Sequence, residues 1–430
     1  MYSRREFLGV IAAPAAVTTV VALHPMGMRR ALAALAEYVG SPHEAAAEEA
    51  LWFEVQQAFA VDRTLINLNN GAVSPSPAGV MEALQRHWVF GNKAPCYSMW
   101  QVLEPQREQV RSQLAAAFGC DTEEIALTRN ASEGLQICQF GLDLKAGDEV
   151  LTTTQDYPRM LTAWKQRERR EGIVLRQFSL PVPAEDPDKV VSLFAANLTA
   201  RTKVILMCHV INLTGQILPV KRVVQMARAR GIPVIVDGAH AFAHLDFVHG
   251  ELDCDYYATS LHKWLCAPHG TGFLYVRKDK IRELWPLMAA PAAMDGDIRK
   301  FEEIGTHPAA PYLAIAEALA FHQGMGPKRK EARLLYLRDR WAKRLIQHER
   351  VRLHTSLKPG VSSGLGTFQV EGVDSAALAQ HLWERYGILV AAIKHPEFEG
   401  IRVSPHVYTT LEEIDRFCEA VERVIKYGLP

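Results

Sequence analysis

The chain has 430 residues, 48% of them apolar, which is enough for a large core and suits two packed lobes better than one. Lys+Arg and Asp+Glu balance at 48 each, which argues against nucleic acid or another polyanionic partner. Seven cysteines without a CxxC spacing argue against a disulfide framework or zinc ribbon, and His209, His244 and His269 follow no metal-ligand spacing.

Residues 1–36 read as a leader. Arg4-Arg5 precede Phe7-Leu8 and the apolar run "IAAPAAVTTVVAL", which is poor in charge. A basic start before a short apolar stretch is the pattern of an export signal, and the arginine pair resembles the twin-arginine type. An ordinary amphipathic helix is the alternative. Small residues near Ala33 or Ala36 offer cleavage sites, and an uncleaved leader is also compatible. The expected location is periplasmic or otherwise exported, with the twin-arginine translocation machinery as a partner and no stable membrane span after export. A cytoplasmic protein follows if the leader is an ordinary helix. Residues 37–75 form an N-terminal segment ahead of the main pattern.

From about residue 79, helix and strand alternate. Val110, Leu114, Ala117 and Phe118 share one helical face, in a helix expected to stop at Gly119. "EIALT" (124–128) predicts a strand, followed by a helix over "ASEGLQICQFGL". Further strands are expected at "DEVLTT", "IVLRQFSL", "KVILMCHV" and "IPVIVDG", each followed or preceded by a helical stretch. Several are continuous apolar runs, as in a sheet covered on both faces. Repeated βα units imply an α/β fold with a mostly parallel, doubly wound sheet that binds ligands at its carboxyl edge. This large domain is expected over residues 76–323. After "GMGPKRKEAR" (324–333) come a long helix, short strands and a closing helix, a smaller α+β domain over 324–430.

The chemistry concentrates at predicted strand ends. Asp237 closes an apolar strand, where a carboxylate is either a helix cap or a functional group. Lys263 follows the next strand-like run, in "ATSLHKW". An acid and a lysine at neighbouring strand ends suit pyridoxal 5'-phosphate (PLP), with Lys holding the aldehyde and Asp the ring nitrogen. A phosphate cradle is expected at "LTRNASEGLQI", from the N–H groups of Ala131 and Ser132 and the Ser132 hydroxyl. Asn130 either holds that loop or touches the cofactor. Ser260 and His262, beside the lysine, offer further donors to the same phosphate.

Seven segments in order, "NASEG", "DYPRMLTAW", "CHVINLTGQILPV", "IVDGAHA", "SLHKW", "EEIGTHP" and "IRVSPHVYTT", resemble the class V aminotransferase family of fold-type I PLP enzymes. The resemblance spans nearly the whole chain after the leader. It implies that Lys263 is the Schiff-base lysine and Asp237 the pyridinium partner. It places Tyr157 as the aromatic stacked on the ring, His240 beside the ring's phenolic oxygen and Asn212 at the ring hydroxyl. Thr306 would reach the phosphate of the other subunit, which implies a homodimer. Arg402 would clamp the substrate α-carboxylate, a task suited to a two-pronged guanidinium. Asn70, in "INLNNGAVSP", would contact a small-molecule amino substrate.

"DGAHA" and "RVSPHVYTT" are nearest the isopenicillin N epimerase-like branch, which includes epimerases, C–S lyases and transaminases. Desulfurases carry a mobile cysteine shortly before the clamp arginine, whereas residues 387–405 contain none. Amino transfer ranks first, because Lys263 alone can return the proton to the cofactor. Epimerisation ranks second, since it wants an acid on the opposite face, and Tyr157 or His240 must supply it. C–S elimination ranks third. The non-enzyme alternative is a cofactor-free binding or scaffold relative, against which the joint retention of Lys263, Asp237 and Arg402 argues. An export signal on this family resembles exported members that tailor secreted peptide metabolites such as the siderophore pyoverdine.

Overall fold

The structure, a computed structural model, describes residues 26–429; Arg4-Arg5 and the apolar run of the expected leader lie outside the described residues. The strands in chain order are β1 (Ile66–Asn67), β2 (Ile125–Thr128), β3 (Glu149–Thr153), β4 (Val174–Phe178), β5 (Thr202–Cys208), β6 (Val234–Asp237) and β7 (Tyr256–Ser260). They continue with β8 (Gly272–Val276), β9 (Val351–Leu353), β10 (Gly366–Val370), β11 (Ile388–Leu389), β12 (Ala391–His395) and β13 (Phe398–Val403).

Seven of them form the large sheet, in the order β2-β8-β7-β6-β5-β3-β4. Strands β7, β6, β5, β3 and β4 pair in parallel. Strand β8 runs antiparallel to both β7 and β2. The carboxyl ends of β2, β3, β5, β6 and β7 therefore share one edge, where β8 begins. The apolar runs explain the layering. Along β3, β5 and β6, Val150, Leu206 and Ile235 face one way and pack with Leu135, Met160 and Trp164 of the flanking helices. Their sequence neighbours Leu151, Ile205 and Val236 face the other way and pack with Leu114, Phe118, Val223 and Val224. The expected doubly wound sheet is present. The antiparallel β8 was not anticipated, because "GFLYV" is buried on both faces like its parallel neighbours and carries no directional signal.

The smaller domain has an antiparallel sheet, β12-β13-β10-β9. Its core joins Trp341, Phe368, Leu382, Ile401, Val403 and Phe417. Two features blur the expected boundaries. The helix Pro327–Leu345 gives Leu334 to the large core and Leu337 to the small one. Residues 66–69 are stitched to the small domain by the parallel β1–β11 pair and an Asn69–Ser404 bridge.

The last residues of the expected leader, 26–36, are packed against the large domain. Met26–Glu37 is a helix that buries Met28, Ala31, Leu32 and Leu35 in the large core. Cleavage near Ala33 or Ala36 would strip core side chains that each contribute up to about 1.5–3 kcal/mol. Among the described residues, no helix is long and apolar enough to cross a membrane.

Candidate active site

The shared carboxyl edge of the large sheet opens on a cavity of about 290 Å³. Each element delivers its side chain by a local device. After β2, Asn130 caps the helix Ala131–Gly141, its Oδ1 accepting the Glu133 N–H at 2.9 Å. That helix lies close to β7 because residue 134 is glycine: a Cβ there would stand 2.8 Å from the Ala258 Cβ. The N-terminus of the helix thereby faces the cavity. The Ala131 N–H is already taken, donating to Ser260 Oγ at 3.0 Å, so Ser260 braces the cradle. Ser132 lines the cavity, and its first-turn N–H has no helical carbonyl behind it. At the start of β8, a Cβ on Gly272 would lie 2.8 Å from the Asn130 Cα, so only glycine lets this corner close.

After β3, a loop presents Tyr157. Thr153 fixes it by donating to Asp156 Oδ2 through both N–H (2.9 Å) and Oγ1 (2.6 Å). The hairpin between β12 and β13 reaches over from the small domain to the same loop. Glu397 accepts from Thr154, Gln155 and Ser179 there, and His395 Nε2 lies 3.0 Å from the Thr154 carbonyl.

Asp237 and Lys263 both line the cavity, from the ends of β6 and β7. Asp237 Oδ1 accepts the Ala239 N–H at 3.0 Å, and burial lifts its carboxyl to about 6. Burial, with Arg402 nearby and Asp237 opposing, lowers the Lys263 ammonium to about 8. Lys263 Nζ stands 3.1 Å from His240 Nε2. His262 also lines the cavity; its Nδ1 donates to the Thr271 carbonyl at 3.2 Å, and burial pushes it down to about 4.

Arg402, on β13, is buried beside this group. Its Nη1 donates to the Asn212 carbonyl at 3.0 Å and its Nη2 to Asn69 Oδ1 at 2.9 Å. Those partners are neutral, so burial pulls the guanidinium down to about 10. Among the described residues its Nε has no hydrogen-bond partner, and neither has the buried Oδ1 of Asn212. A buried cation without a counterion is costly, and an incoming carboxylate relieves that cost.

The structure brings together Asn130, Ala131, Ser132, Tyr157, Asn212, Asp237, His240, Ser260, His262 and Lys263 around one cavity. Two other candidate residues, Asn70 and Thr306, do not line this cavity, and for Thr306 that is the placement expected of a residue serving the other subunit. Asn70 is fully buried and its amide is saturated: Nδ2 donates to the Asn67 and Ser404 carbonyls, and Oδ1 accepts from Tyr408 Oη at 2.6 Å. It is a structural tie, and its neighbour Asn69 is the one on Arg402. Thr306 lies outside this cavity, in a crevice with Glu104, Arg107 and His307. The sequence reading missed Cys208, which ends β5 inside the cavity. Its Sγ bonds Asp156 Oδ1 at 3.3 Å, and burial raises its thiol well above the ordinary range. A polar residue ending an apolar strand was the available signal. Among the described residues no three side chains converge as metal ligands.

The residues fit PLP. A helix N-terminus with a free hydroxyl suits its phosphate, a buried acid suits its ring nitrogen, the unpartnered Asn212 Oδ1 suits a ring hydroxyl, and a lysine with a lowered pKa suits its aldehyde. Fold and layout define a fold-type I PLP enzyme. The chain belongs to the aminotransferase class-V family, whose sequence model matches residues 66–417. It is 33% identical over 388 residues to the isopenicillin N epimerase of Streptomyces clavuligerus, covering 86% of this chain and 98% of that one. A probable cysteine desulfurase of Synechocystis is 26% identical over 389 residues, covering 84% and 91%. The solved structure of a C-DES mutant with glycine covalently linked to its PLP cofactor superposes with a TM-score of 0.77 at 25% identity, covering 87% and 99%.

Proposed function

We propose that this PLP-dependent class V enzyme removes the α-carbon proton of an amino acid, or of an amino-acid-like group on a larger metabolite, with amino transfer as the outcome. The carrying observation is the buried Arg402 near Lys263, without a counterion among the described residues. PLP, when bound, supplies an electron sink for the pair left on the α carbon. Asp237 maintains a positive charge on the ring nitrogen. Arg402 turns its remaining N–H groups to the substrate carboxylate and so orients the α carbon. Lys263 Nζ, near 8 and thus partly a free amine at neutral pH, takes the proton and delivers it again. Sulfur transfer onto the enzyme has little support. The hairpin before Arg402 carries Glu397 and no cysteine, and Cys208 is held as a buried thiol.

Epimerisation is the second reading. The epimerase relative supports it, and so does Tyr157, whose ring lines the cavity and brings a second proton donor. Turnover in heavy water separates the two. A keto or aldehyde product together with the amine form of the cofactor is expected. Deuterium at an inverted α carbon with unchanged cofactor would replace transfer with epimerisation; pyruvate or a sulfur-bearing fragment would indicate a lyase.

We also propose a homodimer. Thr306 stands outside its own chain's cavity, and residues 81–100 expose Met81, Trp88, Val89, Phe90, Tyr97 and Trp100. Large apolar side chains exposed together along one segment suit an interface. Export by the twin-arginine route is a further proposal, resting on Arg4-Arg5. Changing the pair to Lys-Lys should retain the protein in the cytoplasm, and the exported wild type should begin ahead of Met28. Unchanged export of the Lys-Lys protein overturns this.

A further inference from the structure

Trp264 follows Lys263 directly and is fully buried. Its indole is clamped. His244 stacks on it with centroids 3.6 Å apart at 23°, and His406 lies 5.5 Å away at 14°. Lys330 Nζ donates to its carbonyl. His244 is itself fixed: its Nε2 accepts the Gly364 N–H at 2.9 Å, so its Nδ1–H donates to the His240 carbonyl at 2.8 Å. The clamp aims the indole N–H at His240 Nδ1, 3.4 Å away, its one acceptor among the described residues.

An indole nitrogen only donates, so His240 Nδ1 must accept. Burial, followed by Lys263, Arg402 and His244, holds His240 neutral. A neutral imidazole carries one proton, which therefore sits on Nε2. That N–H points at Lys263 Nζ, 3.1 Å away. An ammonium has no lone pair to accept it, and a free amine does.

We propose that Trp264 is a positioning residue that fixes the tautomer of His240, so that His240 presents a donor to Lys263 and favours its free-amine form. The inference rests on the reading that Lys263 is the working base, and it concerns the protein before any cofactor binds. Of the other groups facing Lys263, Asp237 favours the ammonium and Arg402 disfavours it through charge, while burial holds Cys208 and His262 neutral. None of them needs the indole. Removing the indole N–H frees His240 to move its proton to Nδ1 and accept from a lysine ammonium. The Lys263 pKa then rises.

The test uses cofactor-free protein. Pulse acetylation across pH, read by mass spectrometry on the peptide containing Lys263, should give half-reaction near pH 8 in the wild type. Trp264→Phe keeps an aromatic ring between the two imidazoles and removes the donor. It should raise the midpoint by about one unit, making Lys263 roughly tenfold less reactive at pH 7. An unchanged midpoint in folded Trp264→Phe overturns the proposal. Phe leaves space in a packed site, so imidazole nitrogen NMR of the wild type gives an independent reading that no folding defect can blur. His240 protonated at Nε2 with a bare Nδ1 supports the proposal, and a proton on Nδ1 refutes it. If borohydride attaches PLP to another lysine, the functional reading fails while the tautomer result stands.

Discussion

Asp237→Asn should leave a folded protein that still takes up PLP and loses at least about two orders of magnitude in turnover. The amide is nearly isosteric and can still accept the Ala239 N–H at Oδ1. What it lacks is the charge that keeps the ring nitrogen positive, a preorganised electrostatic contribution of the kind worth about 10²–10³ in rate. Stability should move the opposite way in the cofactor-free protein. Burial raises Asp237 from 3.8 to about 6, so above pH 6 the native state carries this carboxylate at a cost of about 3 kcal/mol. The Asn variant escapes that cost. Its advantage in urea unfolding should be full above pH 6 and vanish as pH falls toward 4, where wild-type Asp237 is protonated in both states. Near-normal turnover would reject the electron-sink role, and equal stability at pH 8 would reject the burial penalty.

How far the site was legible follows from where each signal lies. Asp237 closes an apolar strand, Lys263 follows the end of β7 by three residues, and the strand-to-helix turn at Asn130–Ser132 is local, so the sequence carries these directly. The pairings between distant segments left no such trace. Ser260 consumes the Ala131 N–H across 129 residues. Arg402 reaches Asn69 across 333 residues, whereas the sequence reading singled out the adjacent Asn70, as a substrate contact. Asn70 is instead consumed by Ser404 and Tyr408, whose approach depends on β1 lying beside β11. Cys208 enters the cavity because β5 lies beside β6, an order no local pattern states. The helix Met26–Glu37 was set aside because its small apolar residues suit a leader as well as a core.

Lys263→Ala should abolish turnover, by at least about 10³-fold, because it removes the amine placed to hold the aldehyde and move the α proton. Borohydride treatment of the wild type should fix PLP on the peptide that contains Lys263, and the variant should take no label. Label on another lysine would reject the assignment. The same variant tests the dimer. Thr306→Asp places a carboxylate where the partner's phosphate is proposed to sit, and should weaken PLP binding sharply by repulsion. A heterodimer of the two chains then has one ruined site and one intact one. The intact site takes Lys263 from the Thr306→Asp chain and Thr306 from the Lys263→Ala chain. In a twofold assembly half the dimers are mixed, with one working site in two, so co-refolded chains should recover roughly a quarter of wild-type activity. Complementation of this kind cannot arise in a monomer, or in a dimer whose sites are each built from one chain. No recovery from two separately inactive, folded variants would place Thr306 outside the partner's site.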